Sequence, residues 1–168
     1  SYVGISDSAT LDFTTESIAP TLSSSSPSDG DLDVAVNANI VLTFSEDVVV
    51  ETGNITIKKS SDDSVLEAIS VTSSKVTGTS TTTITINPSS TLNESTKYYI
   101  NIAATAFDDG SGNSYAGITD ATTLNFTTVD VEAPTLPSST PSDDATEVSA
   151  TANIVLTFSK AVDVESGN

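Results

Sequence analysis

The chain repeats itself, and that repeat constrains what it can fold into more than any other feature. Ser1-Tyr2-Val3-Gly4-Ile5-Ser6-Asp7 returns as Ser114-Tyr115-Ala116-Gly117-Ile118-Thr119-Asp120. Leu11-Asp12-Phe13-Thr14-Thr15 returns as Leu124-Asn125-Phe126-Thr127-Thr128, at the same offset of 113 residues. Ala19-Pro20-Thr21-Leu22 returns as Ala133-Pro134-Thr135-Leu136 at an offset of 114, so the second linker holds one extra residue. Ala38-Asn39-Ile40-Val41-Leu42-Thr43-Phe44-Ser45 then recurs unchanged as residues 152–159, and the match runs on to Gly53-Asn54 and Gly167-Asn168. Self-similarity at a fixed period marks an array of like folding units. We therefore read residues 1–18 as the C-terminal strand of a preceding repeat, 19–131 as a complete repeat, and 132–168 as the N-terminal strands of a following repeat. A head that lacks its later strands has no second layer to close on, so the chain reads as a window on a longer tandem array.

The repeat unit is patterned for strands. Ile55 and Ile57 alternate with Thr56 and Lys58, and Ile84 and Ile86 with Thr83, Thr85 and Asn87. Tyr98, Ile100 and Ile102 alternate with Tyr99, Asn101 and Ala103, and Leu124 and Phe126 with Thr123, Asn125 and Thr127. Period two with one apolar face predicts strands that cover a single core. Pro27-Ser28-Asp29-Gly30, Thr52-Gly53-Asn54, Ser61-Asp62-Asp63, Asn87-Pro88 and Asp108-Asp109-Gly110-Ser111-Gly112-Asn113 separate the runs, as turn residues do. No stretch sustains helical periodicity. Roughly seven to nine strands in a unit of this size predict an all-β fold, an immunoglobulin-like antiparallel β-sandwich of Greek-key type. Leu92, Thr96, Tyr98 and Ile100 have the spacing of a tyrosine corner, in which a Tyr hydroxyl caps backbone at the turn into a late strand. That makes Tyr98 structural and points Tyr99 outward. Phe44, Tyr98, Ile100, Leu124 and Phe126 are the expected core.

The motifs Ala19-Pro20-Thr21-Leu22, Ser26-Pro27-Ser28-Asp29-Gly30, Ile40–Glu46, Tyr98-Tyr99-Ile100, Asp108–Asn113 and Leu124–Thr128 together resemble those of bacterial Ig-like repeats. Such repeats occur in tandem in very large secreted surface proteins and adhesins. The resemblance covers essentially the whole chain. It implies a non-catalytic extracellular spacer, often stiffened by calcium.

Composition narrows the chemistry. The chain carries 23 acidic residues against 5 basic ones, a formal net charge of -18, and every basic residue is a lysine. It contains no His, Cys, Arg, Met or Trp. Without His and Cys there is no Ser-His-Asp or Cys-His catalysis, no disulfide framework and no zinc-thiolate site. The charge would repel a nucleic-acid backbone. No apolar run approaches the length of a membrane-spanning helix. A paired-carboxylate hydrolase needs two carboxyls at a fixed separation across a cleft, and no motif here marks such a pair. The expected class is non-enzymatic.

The acidic loops are the candidate site. Ca²⁺ takes roughly six to eight oxygen ligands, and carboxylates alternating along a turn supply several at once. Asp29, Asp31 and Asp33 have that spacing beside Gly30. Asp109, Ser111 and Asn113 repeat it, with Asp108 adjacent. Asp130 and Glu132 lie in the linker and, with Glu16 in the first linker, suggest an ion shared between stacked repeats. The second copy places Asp143, Ala145 and Glu147 where the first has Asp29, Asp31 and Asp33, so the middle ligand is not retained. The expected partners are adjacent repeats of the same chain and identical chains in a fibre, with no nucleic acid and no membrane insertion. The first functional reading is a rigid extracellular stalk of a cell-surface adhesin. The alternatives are a self-assembling filament or sheath and a glycan-binding module, the latter resting on Tyr99 and Tyr115 as surface aromatics.

Overall fold

The computed structural model describes residue 4 and residues 18–164. Readings placed on residues 1–3, 5–17 and 165–168, including the strand expected of a preceding repeat, lie outside the described residues. The chain divides into two compact units, Ser1–Asp130 and Val131–Asn168. No helix occurs among the described residues.

Among the described residues, the first unit holds ten strands: β1 Leu22–Ser26, β2 Asp31–Val34, β3 Ile40–Val50, β4 Asn54–Lys59, β5 Val65–Ser70, β6 Val76–Thr77, β7 Thr81–Ile86, β8 Lys97–Ile102, β9 Phe107–Asp108 and β10 Asn125–Thr128. They form two five-stranded sheets. One runs β1-β3-β7-β6, with β9 added to the far half of the long strand β3, and the other runs β2-β10-β8-β4-β5. The count exceeds the expected range because β6 and β9 are two-residue pairings that loop composition does not reveal.

The alternation in the sequence sets which side chains face inward. Ile40, Leu42 and Phe44 of β3, Ile55 and Ile57 of β4, Ile84 and Ile86 of β7, and Tyr98, Ile100 and Ile102 of β8 are all buried. Leu124 and Phe126 close the core from the other end of the chain. Phe44 lies 5.2 Å from the rings of both Phe107 and Tyr115, the latter edge-on. Tilted and edge-on arrangements of this kind add to the value of the buried area itself. Tyr98 packs on Phe126 with ring centroids 6.2 Å apart. Its hydroxyl accepts a hydrogen bond from the Asn93 backbone N–H at 2.9 Å, which is the expected corner. The buried Thr128 hydroxyl completes it by donating to the Asn93 carbonyl at 2.6 Å.

One pairing departs from the antiparallel expectation. β2 pairs with β10 in parallel, Phe126 opposite Asp31 and Thr128 opposite Val34. The reason lies at the β1–β2 corner. The chain leaves the first sheet at Pro27–Gly30 and enters the second without reversing direction, so β2 runs the same way as β10.

The second unit holds one hairpin, β11 Ser138–Thr140 with β12 Val155–Thr157. Its register reproduces β1 on β3: Ser139 faces Leu156 as Ser25 faces Leu42. Thr135 N–H donates to Ser159 Oγ at 2.9 Å, as Thr21 N–H donates to Ser45 Oγ at 3.0 Å.

Phe126 lies on the last strand of the repeat yet fills the middle of its core. Phe126→Ala is expected to cost about 3–5 kcal/mol of unfolding free energy, measured by chemical denaturation, as truncation of a large buried aromatic does. A loss below about 1 kcal/mol would mean that β10 presents its other face to the core.

Candidate functional site

The two acidic loops lie at different places in the sandwich, and each is built around a single carboxylate. Asp29 sits in the corner between β1 and β2. Its Oδ1 accepts from the Asn125 backbone N–H at 3.0 Å and from Asn125 Nδ2. Gly30 N–H donates to the Asn125 carbonyl at 2.7 Å, so the corner engages both backbone polar groups and the side-chain N–H of this buried asparagine. Asp31 Oδ2 accepts from Ser28 N–H at 2.8 Å, tightening the same turn. Asp33 adopts a left-handed backbone with φ of 57°, a conformation that Asp tolerates better than most residues.

Asp109 organises the second loop. Its Oδ1 accepts from the backbone N–H groups of Ser111 and Asn113, both at 2.8 Å, and Oδ2 accepts from Asn113 Nδ2 at 2.7 Å. Asp109 N–H in turn donates to the Asn113 carbonyl at 3.0 Å. Gly112 has φ of 87°, which the turn requires and a side chain would resist. Asp109 is buried, while Asp108 pairs with Val49 at the edge of β3. Asp130 ends the first unit. Glu132 belongs to the second, where its backbone carbonyl accepts from Lys160 Nζ at 2.9 Å.

The structure thus brings Asp109 and Asn113 together, and Asp29 with Asn125. Among the described residues, no group of three or more His, Cys, Asp or Glu is placed to hold a metal ion. Each loop offers one principal carboxylate whose oxygens already take protein N–H groups, against the roughly six to eight oxygens that Ca²⁺ asks for.

Three further groups complete the polar framework. Asp120 accepts from the Thr122 and Thr123 backbone N–H groups at 2.7 Å and from both threonine hydroxyls at 2.8 Å. The Thr123 hydroxyl first, then the Thr122 amide and hydroxyl and the Thr123 amide, hold its carboxyl far below the usual range. Asp-x-Thr-Thr is a local signal for such a turn. Glu67 carries no such signal. Its Oε1 takes Lys75 Nζ at 2.5 Å, and its Oε2 takes the N–H groups of Ser89 and Ser90, both at 2.9 Å. A spacing of 22 residues hides that contact from a sequence reading. Tyr99 corrects an expectation. It does leave the core face of β8, but it is buried rather than presented to solvent, with Lys58 Nζ 5.7 Å from its ring centroid. Its hydroxyl donates to Asp63 Oδ1 at 2.9 Å. Tyr115 is buried against Phe44, so neither tyrosine is a surface aromatic.

Two outcomes follow from these contacts. Asp29→Ala removes the acceptor of the Asn125 backbone N–H and leaves Asn125 Nδ2 only the Thr122 carbonyl at 3.3 Å, and should cost about 1–3 kcal/mol in urea denaturation. An Asp29→Ala chain as stable as the parent would show that the corner is not what holds β10. Burial raises the Glu67 carboxyl, but the Lys75 and Ser90 hydrogen bonds, the Lys75 charge and the Ser89 hydrogen bond outweigh it, leaving it below its ordinary 4.5. A carboxyl lowered in the folded state stabilises above its unfolded value and loses that contribution as pH falls through the folded one. The melting temperature of the parent should therefore fall on acidification below about pH 4.5 more steeply than that of Glu67→Gln. Parallel pH profiles would remove Glu67 from the acid response.

The model of the bacterial Ig-like domain family matches residues 16–128 and again residues 130–168. A solved structure titled as a crystal structure of the S-layer protein rSbsC(31-844) is 18% identical over 73% of this chain, with a TM-score of 0.45. The chain spans 16% of that protein's length. No curated protein matches the chain. With two successive matches that together take in nearly the whole sequence, the chain belongs to the bacterial Ig-like domain family.

Proposed function

We propose that this chain is a non-catalytic extracellular repeat, one bead of a rigid stalk or fibre that holds an adhesive or anchoring module away from a bacterial surface. The observation that carries this reading is the second copy of the repeat head. Its hairpin has the same register and the same Thr–Ser closure as the first, so the chain is built by reiterating a unit with its own core. Arrays of self-contained units tolerate changes in number and extend in one dimension. The proline of each Ala-Pro-Thr linker fixes φ and restricts bending. A net charge of -18 opposes collapse of one bead on another. Folding requires no disulfide, which suits a chain that folds after export.

The glycan-binding alternative loses support, because the two tyrosines it relied on are buried.

Antibody raised against residues 19–131 should label intact, unpermeabilised cells of the source organism. Labelling that appears only after permeabilisation would overturn the surface reading. In the same preparation, melting curves with millimolar CaCl₂ and with NaCl of equal ionic strength test the calcium expectation. A rise specific to Ca²⁺ supports an ion in the acidic loops, and coincident curves leave protein donors as what holds them.

A further inference from the structure

We propose that the cleft between the β4–β5 turn and the start of β8 is a binding site for one singly charged oxyanion, the carboxylate or sulfate ester of an acidic sugar. The site draws on residues other than the two buried tyrosines and goes beyond the structural-repeat reading.

Backbone pairing builds the cleft. β4 and β8 run antiparallel, with Lys58 opposite Tyr99 and Lys59 opposite Tyr98. The next step of that ladder sets Ser60 beside Lys97, and Ser60 N–H donates to the Lys97 carbonyl at 2.9 Å. Thr96 is fixed by its N–H, which donates to Thr128 Oγ1 at 3.0 Å, and by its hydroxyl, which donates to the Glu94 carbonyl at 2.8 Å. Ser95 takes a left-handed backbone with φ of 47°, and its N–H donates to the Val129 carbonyl at 3.2 Å. Ser60, Ser61, Ser95, Thr96 and Lys97 thereby line one cavity of about 360 Å³. That volume suits a small organic ligand better than a bare ion.

Two of these side chains point to a ligand. The Ser60 hydroxyl oxygen is buried with no hydrogen-bond partner, the one such side-chain atom among the described residues. A buried hydroxyl left unpaired costs free energy. No hydrogen bond holds it in that rotamer, and a turn about χ1 between staggered wells carries it toward the cleft that its residue lines. Lys97 is exposed, and among the described residues no carboxylate pairs with it, in a chain of 23 acids and 5 lysines. The acids of the neighbouring turn are engaged elsewhere. Asp62 takes the Ser64 N–H and hydroxyl, and Asp63 takes the Tyr99 hydroxyl. Lys58 and Lys59 end β4, so three of the first unit's four lysines gather at this end of the sheet.

The lining selects the ligand. An ammonium beside serine hydroxyls can donate to an oxyanion and also bond sugar hydroxyls, but it lacks the fork with which arginine grips phosphate. The net charge of -18 repels each further negative charge a ligand brings, so a singly charged group is favoured over a doubly charged one.

NMR titration of the isotope-labelled full chain at low ionic strength tests the site, with sodium glucuronate and glucose 6-sulfate as probes and glucose and inorganic phosphate as controls. The expected result is saturable shifts of the Ser60, Ser61, Ser95, Thr96 and Lys97 amides with an acidic sugar and none with glucose. Whichever acidic sugar binds more tightly assigns the group as carboxylate or sulfate. Raising salt to about 0.15 M should weaken the response. Lys97→Gln should abolish it. Ser60→Ala should weaken it about tenfold, the scale of one hydrogen bond to a charged group. The same variant should melt no lower than the parent in the absence of sugar, because the hydroxyl has no partner to lose. No saturable shift with either acidic sugar overturns the proposal. So do shifts as large with glucose, tighter binding of phosphate than of either sugar, or a response unchanged in Lys97→Gln. A Ser60→Ala chain that melts lower yet binds like the parent also overturns it, since the hydroxyl would then serve the fold. None of these outcomes bears on the stalk reading.

Discussion

The sandwich depends on how its first and last strands are tied. β1 belongs to one sheet and β2 to the other, so the corner between them is where the layers are joined along the chain. β10, nearly a hundred residues later, fits between β2 and β8 only if the buried Asn125 finds partners. Asp29 and Gly30 supply them. A buried amide left unpaired costs more than a formed hydrogen bond returns, so this contact decides whether the C-terminal strand docks at all. With β10 in place, Leu124 and Phe126 enter the core and the Tyr98–Thr128 corner can close.

The carboxylates follow one logic across the fold. A chain with five lysines and no arginine cannot satisfy 23 acids with ion pairs. Glu67 has a lysine, but even it takes two backbone N–H groups besides. Asp31, Asp62, Asp109 and Asp120 take local amides and hydroxyls instead, and Asp29 takes the backbone and side-chain amides of the distant Asn125. Serine and threonine together make up about a third of the chain and supply many of those donors. Hydrogen bonds to a charged acceptor are stronger than neutral ones, so acidic turns of this kind stabilise the loops that hold them.

How much of this could be read beforehand depends on range. The faces of β3, β4, β7, β8 and β10 follow from period-two alternation, because each residue's side is set by its neighbours two places away. Tyr98 was legible because its partner Asn93 lies five residues back. The roles of Asp29 and Glu67 were not, since their partners are 96 and 22 residues distant. An Asp-rich turn looks the same on paper whether its carboxylates converge on an ion or bend back to their own amides. Tyr99 was misplaced for a related reason: alternation gives the face of a strand, not what the loop at Asp63 and the side chain of Lys58 lay over it.

The two copies of the repeat head separate local causes of structure from distant ones. The β11–β12 hairpin keeps its register with Ile154, Leu156 and Phe158 uncovered, so the register does not come from core packing. It comes from what both copies share locally, the Thr–Ser closure at one end and the Ser–Pro corner at the other. Where the copies differ, the backbone holds all the same. Gly30 becomes Asp144 and Asp33 becomes Glu147, and both replacements keep positive φ. A backbone that accepts this cost at Asp144 and Glu147 is specified by the turn as a whole rather than by the glycine. The head of each repeat is therefore a local structure that forms on its own terms and then presents a finished apolar face.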